Sequence, residues 1–360
     1  MVDKMNLEEW IRPKIRTLNA YESKSIPNCV RLDANENPLS WPQGMIEQLL
    51  GSSLAFNRYP DGGAQELKQA LSGYTGVPGE GILTGNGSDE LIQLLMTTFG
   101  GENRAVVVHP PTFSMYGAAA RVTGTDVLEI PLLLTEDGRD FRLDVEGILK
   151  AAAQSQVHMI VLCNPNNPTG TLFPREEILR IVAESGKIVV VDEAYGEFSG
   201  ESVVDQIPHC PNLLVMKTFS KLFAMAALRL GYLLGQPSMI EALNRARQPF
   251  NVNSFSQKAG AIALNYVEDF AEQGRTLTAE LEKIVEALTA FASVKVFATR
   301  ANFVLFQPED PDRVYQELIE KGFLIRNMGN LPVVGKALRL SVGLPEDNER
   351  LMKALREILK

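Results

Sequence analysis

The chain is 360 residues long, enough for one large domain or for a large and a small one together. Hydrophobic residues make up 45% and charged residues 22%, an ordinary globular balance, and the net charge of -9 argues against a nucleic-acid groove built on bulk positive charge. No apolar run is long enough to span a bilayer and the opening MVDKMNLEEWIRPK is charged, so no membrane partner is expected and the expected location is cytoplasmic.

The first 35 residues look like an arm. In ILTGNGSDELIQLLMTTF a short strand ends at Thr84, Gly85 to Gly87 turn the chain, and Ser88, Asp89 and Glu90 open a helix. From about residue 104 to 235, short β-branched runs alternate with helical stretches. AVVVHP (105–110), VHMIVLCNP (157–165), KIVVVDEA (187–194) and NLLVMKTFS (212–220) read as strands. They are continuously apolar, as strands buried on both faces of a parallel sheet are. Between them REEILRIVAES sets Ile178, Ile181 and Val182 on one helical face.

After about residue 250 the texture changes. LTAELEKIVEAL aligns Leu277, Leu281, Ile284 and Leu288; VKVFAT, NFVLFQ, FLIRN and ALRLSVG read as strands; helices are expected over 311–321 and from Pro345 to the end. The expected fold class is therefore α/β: a large three-layer domain around a mainly parallel central sheet, over 36–248, plus a smaller α+β domain over 249–360.

Ligand sites in such sheets lie beyond the carboxyl ends of the strands. Each strand of the central group ends in unusual residues: His109-Pro110, Asn164-Pro165, Asp192-Glu193, and the run from Thr218 to Lys221. The Gly85–Gly87 turn before a helix presents free backbone N–H groups to an anion such as phosphate, though a plain strand-to-helix turn capped by Ser88 or Asp89 would look the same. Asn167, in NPNNPTG, either aims its amide into a cleft or belongs to a rigid surface loop. Asp192 ends an apolar strand, where a carboxylate needs a cation or a cap, and the Tyr195 hydroxyl lies nearby in sequence. Lys221 follows a buried strand, where partial desolvation would favour the nucleophilic amine, and Arg229 has the planar fork that matches phosphate oxygens. Either cation alone could be an ordinary surface residue. The three cysteines and three histidines are scattered, with no HExxH and no paired CxxC, so neither a disulfide framework nor a bound metal is expected.

Taken together these stretches describe a pyridoxal 5'-phosphate site. Lys221 would form the Schiff base with the aldehyde, and Asp192 would keep the pyridine nitrogen protonated. Asn167 and Tyr195 would donate to the ring oxygen. Gly87, Ser88, Asp89, Thr218, Ser220 and Arg229 would anchor the phosphate, and Phe113 would stack on the ring unless it is a core aromatic.

At this point the chain resembles the fold-type I pyridoxal phosphate aminotransferases, and within them the histidinol-phosphate aminotransferase group. The resemblance runs through LDANENPLSWP (32–42), NRYPDG (57–62), GNGSDELI, PPTFSMY, NPNNPTG, VVVDEAYGEF, TFSKLFAMAALRLGY, IRNMG and LRLSVG. It implies a homodimer with shared active sites, in which Tyr59 reaches the cofactor phosphate of the partner subunit, and an arm, 1–35, packed with the small domain and the partner. It also implies that Tyr21 and Asn37 line the substrate pocket, and that Arg326 and Arg339 hold the substrate's anionic end. Two departures stand out: Ala227 where glycine is common, which could crowd the loop of Lys221, and Phe113 where many relatives have tyrosine. The expected reaction is reversible transamination between L-histidinol phosphate and 2-oxoglutarate, giving imidazole acetol phosphate and L-glutamate, in histidine biosynthesis. An aromatic amino acid aminotransferase or an L-threonine-O-phosphate decarboxylase would use the same residues, since substrate choice rests on pocket shape. A non-catalytic phosphate- or nucleotide-binding protein is the alternative of another kind.

Overall fold

Seven strands line up in the order β1-β7-β6-β5-β4-β2-β3, where β1 is Ile82–Gly85, β2 Ala105–Val108, β3 Asp126–Glu129, β4 Val157–Cys163, β5 Ile188–Asp192, β6 Leu213–Thr218 and β7 Gly231–Gly235. The computed structural model describes residues 7–18, 20 and 26–359. Strands β2 to β6 run parallel to their neighbours, and only β7 is antiparallel to β6 and β1. The continuous apolar runs end up as expected, with every residue of β2, β6 and β7 buried.

Alternation along each strand divides the core into two layers. Val107, Ile160, Val189, Val191 and Val215 face Leu67, Leu71, Ile148, Ile178 and Ile181 of the helices on one side. Val106, Met159, Val161, Val190, Leu214 and Met216 face Leu91, Leu95 and Tyr116 on the other. Each such aliphatic side chain, fully buried, contributes roughly 1.5–3 kcal/mol. Strand β3 was not expected: its sequence DVLE is short, carries acids at both ends and lies half exposed at the sheet edge.

A second sheet, β8-β9-β11-β10, is antiparallel throughout, with β8 Val294–Val296, β9 Phe303–Pro308, β10 Arg326–Leu331 and β11 Gly335–Ser341. Val304, Phe306, Leu338 and Leu340 pack with helices Pro311–Glu320 and Pro345–Ile358 into a separate core. Because side chains alternate across a strand, Arg339 points the other way, towards the large domain.

Two boundaries differ from the sequence reading. Helix Ser254–Ala263 lies beyond 248, yet Val252, Ala259 and Ala261 belong to the large core with Leu67 and Leu71. The crossing point lies inside the 23-residue helix Val267–Thr289, which puts Phe270 into the large core and Leu277, Leu281, Ile284 and Leu288 into the small one. An apolar stripe does not say which core it meets. The arm also divides. Arg12 and Lys14 bond the carbonyls of Val122 and Gly124 at 2.6 Å each, on the large domain, whereas residues 29–35 join the small domain, Val30–Arg31 in parallel register with Phe323–Leu324 and Asn35 through Ser341. Among the described residues, no helix is long and apolar enough to cross a membrane.

Candidate active site

The carboxyl ends of the parallel strands open into a cleft of about 430 Å³, roofed by residues 33–35 of the arm and by Arg326 and Arg339 of the small sheet. Size and position suit a small-molecule site. The cleft lining gathers Ser88, Asp89, Phe113, Asn167, Asp192, Tyr195, Thr218, Ser220, Lys221 and Arg229, which lie far apart in the chain.

One end of the cleft is built for an anion. Helix Ser88–Phe99 begins here, and its first N–H groups have no partner within the helix. Gly87 precedes it at φ 82°, in the left-handed region, and a β-carbon there would lie 2.7 Å from the Arg229 guanidinium. The turn and the guanidinium therefore approach as closely as they do only because residue 87 has no side chain. Arg229 is itself held, by an ion pair to Asp89 at 3.1 Å and a bond to the Ala226 carbonyl at 3.0 Å. Thr218 accepts the Ser220 N–H at 3.1 Å and donates to the Leu230 carbonyl at 3.2 Å, which turns the chain back after β6. Ala227 is exposed, so its methyl group does not crowd the loop of Lys221.

At the floor sits Asp192, buried at the end of β5. It accepts the Ala194 N–H at 3.0 Å and the Tyr116 hydroxyl at 2.5 Å. Burial pushes its carboxyl up to about 6 against the pull of those two donors. Such a carboxylate is a strong partner for a cationic ring nitrogen. Phe113 lines the cleft and meets Tyr116 edge to face, with centroids 5.6 Å apart.

The Lys221 amine donates to the Ala34 carbonyl at 2.9 Å and lies 5.5 Å from the centre of the Tyr195 ring. Burial, and then the charge of Arg339, bring its pKa down to about 8. A sizeable neutral fraction at physiological pH follows, which a nucleophilic or proton-shuttling amine needs. Asn167 is buried and accepts from Arg339 Nη1 at 2.5 Å, while Arg339 Nη2 donates to the Asp33 carbonyl at 2.6 Å. Arg326 lies directly across the strand pair from Arg339 and also lines the cleft.

Two of the other expected residues lie outside the lining of this chain's own cleft. Asn37 is not in the lining; its amide donates to the Leu222 carbonyl at 2.8 Å and to Gln273 Oε1 at 3.2 Å, clamping the loop after Lys221. Tyr59 stands on the surface, 81% exposed and stacked on Phe250 at 4.6 Å. Tyr21 falls outside the described residues. Conversely, Tyr116, Asn35 and Cys163 line the cleft without having been singled out. The only signal for Tyr116 was its place three residues after Phe113 in PTFSMY.

Fold and cleft together define an aminotransferase: the chain belongs to the aminotransferase class I and II family, which matches residues 27–355. It is 89% identical, over 100% of both chains, to the histidinol-phosphate aminotransferase of Desulfitobacterium hafniense (strain Y51). Among solved structures, the histidinol-phosphate aminotransferase of Clostridium acetobutylicum is similar at a TM-score of 0.80 and 25% identity, covering 91% of this chain and 98% of that one. The Sinorhizobium meliloti histidinol-phosphate aminotransferase in complex with pyridoxal-5'-phosphate shares the fold, with a TM-score of 0.85 at 22% identity, covering 97% of each chain.

Proposed function

We propose that the chain is a pyridoxal-phosphate-dependent transaminase that exchanges the amino group of L-histidinol phosphate with 2-oxoglutarate, giving imidazole acetol phosphate and L-glutamate, in cytoplasmic histidine biosynthesis. The observation that carries the reading is the shared cleft of Lys221, Asp192 and Arg229, in a chain 89% identical to a histidinol-phosphate aminotransferase over its full length.

The donor set suits the cofactor. A guanidinium, a helix N-terminus and two hydroxyls at one end match a phosphate, with the cradle at Gly87 that a β-carbon would fill. Asp192, whose carboxyl burial raises, matches a pyridinium nitrogen, and Asn167 and Tyr195 match the ring oxygen. Phe113 would cover one ring face. When bound, the cofactor supplies an electron-withdrawing ring that stabilises negative charge on the substrate's amine-bearing carbon.

The remaining work falls to side chains. Lys221 Nζ, with its lowered pKa, moves a proton to and from the reacting carbon. Arg339 and Arg326 receive the anionic end of each substrate: a phosphate in one half-reaction, a carboxylate in the other. A guanidinium fork suits both, so one pocket serves two substrates in turn and ping-pong kinetics follow. Arg339 would leave Asn167 or the Asp33 carbonyl to do so.

The reading includes a homodimer with shared sites. Leu50, Phe56, Tyr59 and Phe250 are large apolar side chains exposed on the large domain, which supports a covered face there. In the dimer Tyr59 would reach the cofactor phosphate held by the partner.

The test is the visible spectrum of purified protein reconstituted with pyridoxal phosphate, before and after L-histidinol phosphate. A yellow protein whose band is lost on adding that substrate, and restored by 2-oxoglutarate, supports the reading. Turnover of L-threonine-O-phosphate with release of carbon dioxide, and none of histidinol phosphate, overturns it.

A further inference from the structure

Three consecutive residues of the arm each bond a different functional side chain. The Asp33 carbonyl accepts from Arg339, the Ala34 carbonyl accepts from Lys221, and Asn35 Nδ2 donates to the Tyr195 hydroxyl oxygen at 2.9 Å. The third contact is unlike the others because it goes through a side chain whose orientation is fixed from behind.

Asn35 is 1% exposed and sits at φ 55°, a backbone region that asparagine tolerates better than most residues. Its own N–H donates to Ser341 Oγ at 2.9 Å, and the same Ser341 hydroxyl lies 2.9 Å from Asn35 Oδ1. A serine hydroxyl has one proton. Its oxygen accepts the Asn35 N–H and its proton goes to Oδ1, which turns the amide NH2 towards Tyr195. Asn302 Nδ2 adds a bond to the Asn35 carbonyl at 3.1 Å. The phenol oxygen of Tyr195 is thus an acceptor from Asn35, and its own proton is left for the cleft.

Resting on the cofactor reading above, we infer that Asn35 is a positioning residue that aims the Tyr195 phenol proton at the ligand in the cleft. It also ties that aim to the small domain, because Ser341 and Asn302 both belong there. Tyr195 has neighbours on every side: the Phe303 ring at 5.1 Å, the Lys221 amine, Asp192, Cys163 and Arg339. Burial holds the phenol well above its ordinary pKa, with Arg339 and Asn35 pulling it down, so it remains a donor across the working pH range.

The Asn35→Asp substitution keeps the backbone preference and an oxygen for Ser341, but turns the face towards Tyr195 from donor to anionic acceptor. The phenol proton would swing to the carboxylate, and both that loss and the added charge favour the protonated state of the ligand centre. In protein reconstituted with pyridoxal phosphate and free of substrate, the pH midpoint of the visible absorption change is expected to rise by roughly one unit or more. In a Tyr195→Phe background only the through-space charge remains, and the rise should be less than half as large. Asn35→Gly, which accepts the same φ, removes the donor without adding charge and should raise the midpoint by a smaller amount. An unmoved midpoint in yellow Asn35→Asp and Asn35→Gly proteins, or an equal shift with and without the phenol, overturns the inference alone. A wild-type protein with no visible band overturns the cofactor reading and this inference with it.

Discussion

Tyr116 gives its hydroxyl proton to Asp192 across 2.5 Å, although 76 residues separate them in the chain. Both groups are buried, Tyr116 under the sheet face formed by Val108 and Met159, and Asp192 at the mouth of β5. The carboxylate that pairs with the ring nitrogen in this account is therefore drawn towards its ionised form by a hydrogen bond from a second cleft residue, against the burial that raises it.

Tyr116→Phe should leave the packing intact and remove that donor. A hydrogen bond to a charged group is worth about 1.5–3 kcal/mol, so pyridoxal phosphate should bind roughly ten- to a hundredfold more weakly. Titration by quenching of intrinsic fluorescence would measure it. An unchanged affinity would show that Ala194 N–H alone holds Asp192.

The amine of Lys221, brought down to about 8, sets a pH dependence. The neutral form is the reactive one, and its fraction rises as pH climbs through 8. Between pH 7 and pH 8 the rate at which apoprotein captures the cofactor should increase about fivefold and then level off above 9. Stopped-flow absorbance gives the profile. A rate still climbing beyond pH 10 would mean an ordinary solvated lysine.

Asn37 separates two readings of the same motif. Its amide bonds the Leu222 carbonyl and Gln273, so Asn37→Ala should loosen the loop after Lys221 at a cost of about 1–3 kcal/mol in stability, with KM for both substrates little changed. Thermal denaturation and steady-state kinetics would distinguish this from a direct substrate contact, which would raise KM and spare stability.

Behind the cleft, Lys217 lies between Glu193 at 3.2 Å and Glu197 at 3.0 Å, all three nearly closed to solvent. Glu193 also takes the Ser202 hydroxyl and the Val203 N–H, so the pair ties β6 to the chain carrying Asp192 and Tyr195. Lys217→Met would leave two buried carboxylates without their cation, and denaturant unfolding should report a loss of about 3–5 kcal/mol.

Much of this site is legible along the chain, for a definite reason. Asp192 ends a run of buried aliphatic residues, Lys221 and Asn167 lie within four residues of the ends of two others, and Gly87 opens a strand-to-helix turn, so the polar residues gather where ligand sites of such sheets lie. The large sheet is legible for the same reason, since its strands are apolar without alternation. Roles that depend on distant contacts are not. Tyr116 looks like one more aromatic on an apolar helix face, and nothing in ANENP distinguishes Asn35, which reaches Tyr195, from Asn37, which reaches Leu222. The domain boundary hides inside the helix Val267–Thr289, whose apolar stripe continues unbroken while the core beneath it changes.

The most direct measurement of the whole account is absorbance after borohydride treatment, comparing wild type with Lys221→Ala, each incubated with pyridoxal phosphate and dialysed. The account predicts one cofactor fixed per wild-type chain, recovered on the peptide containing Lys221, and none on the variant. Equal labelling of both proteins, or a label recovered on another lysine, would contradict it.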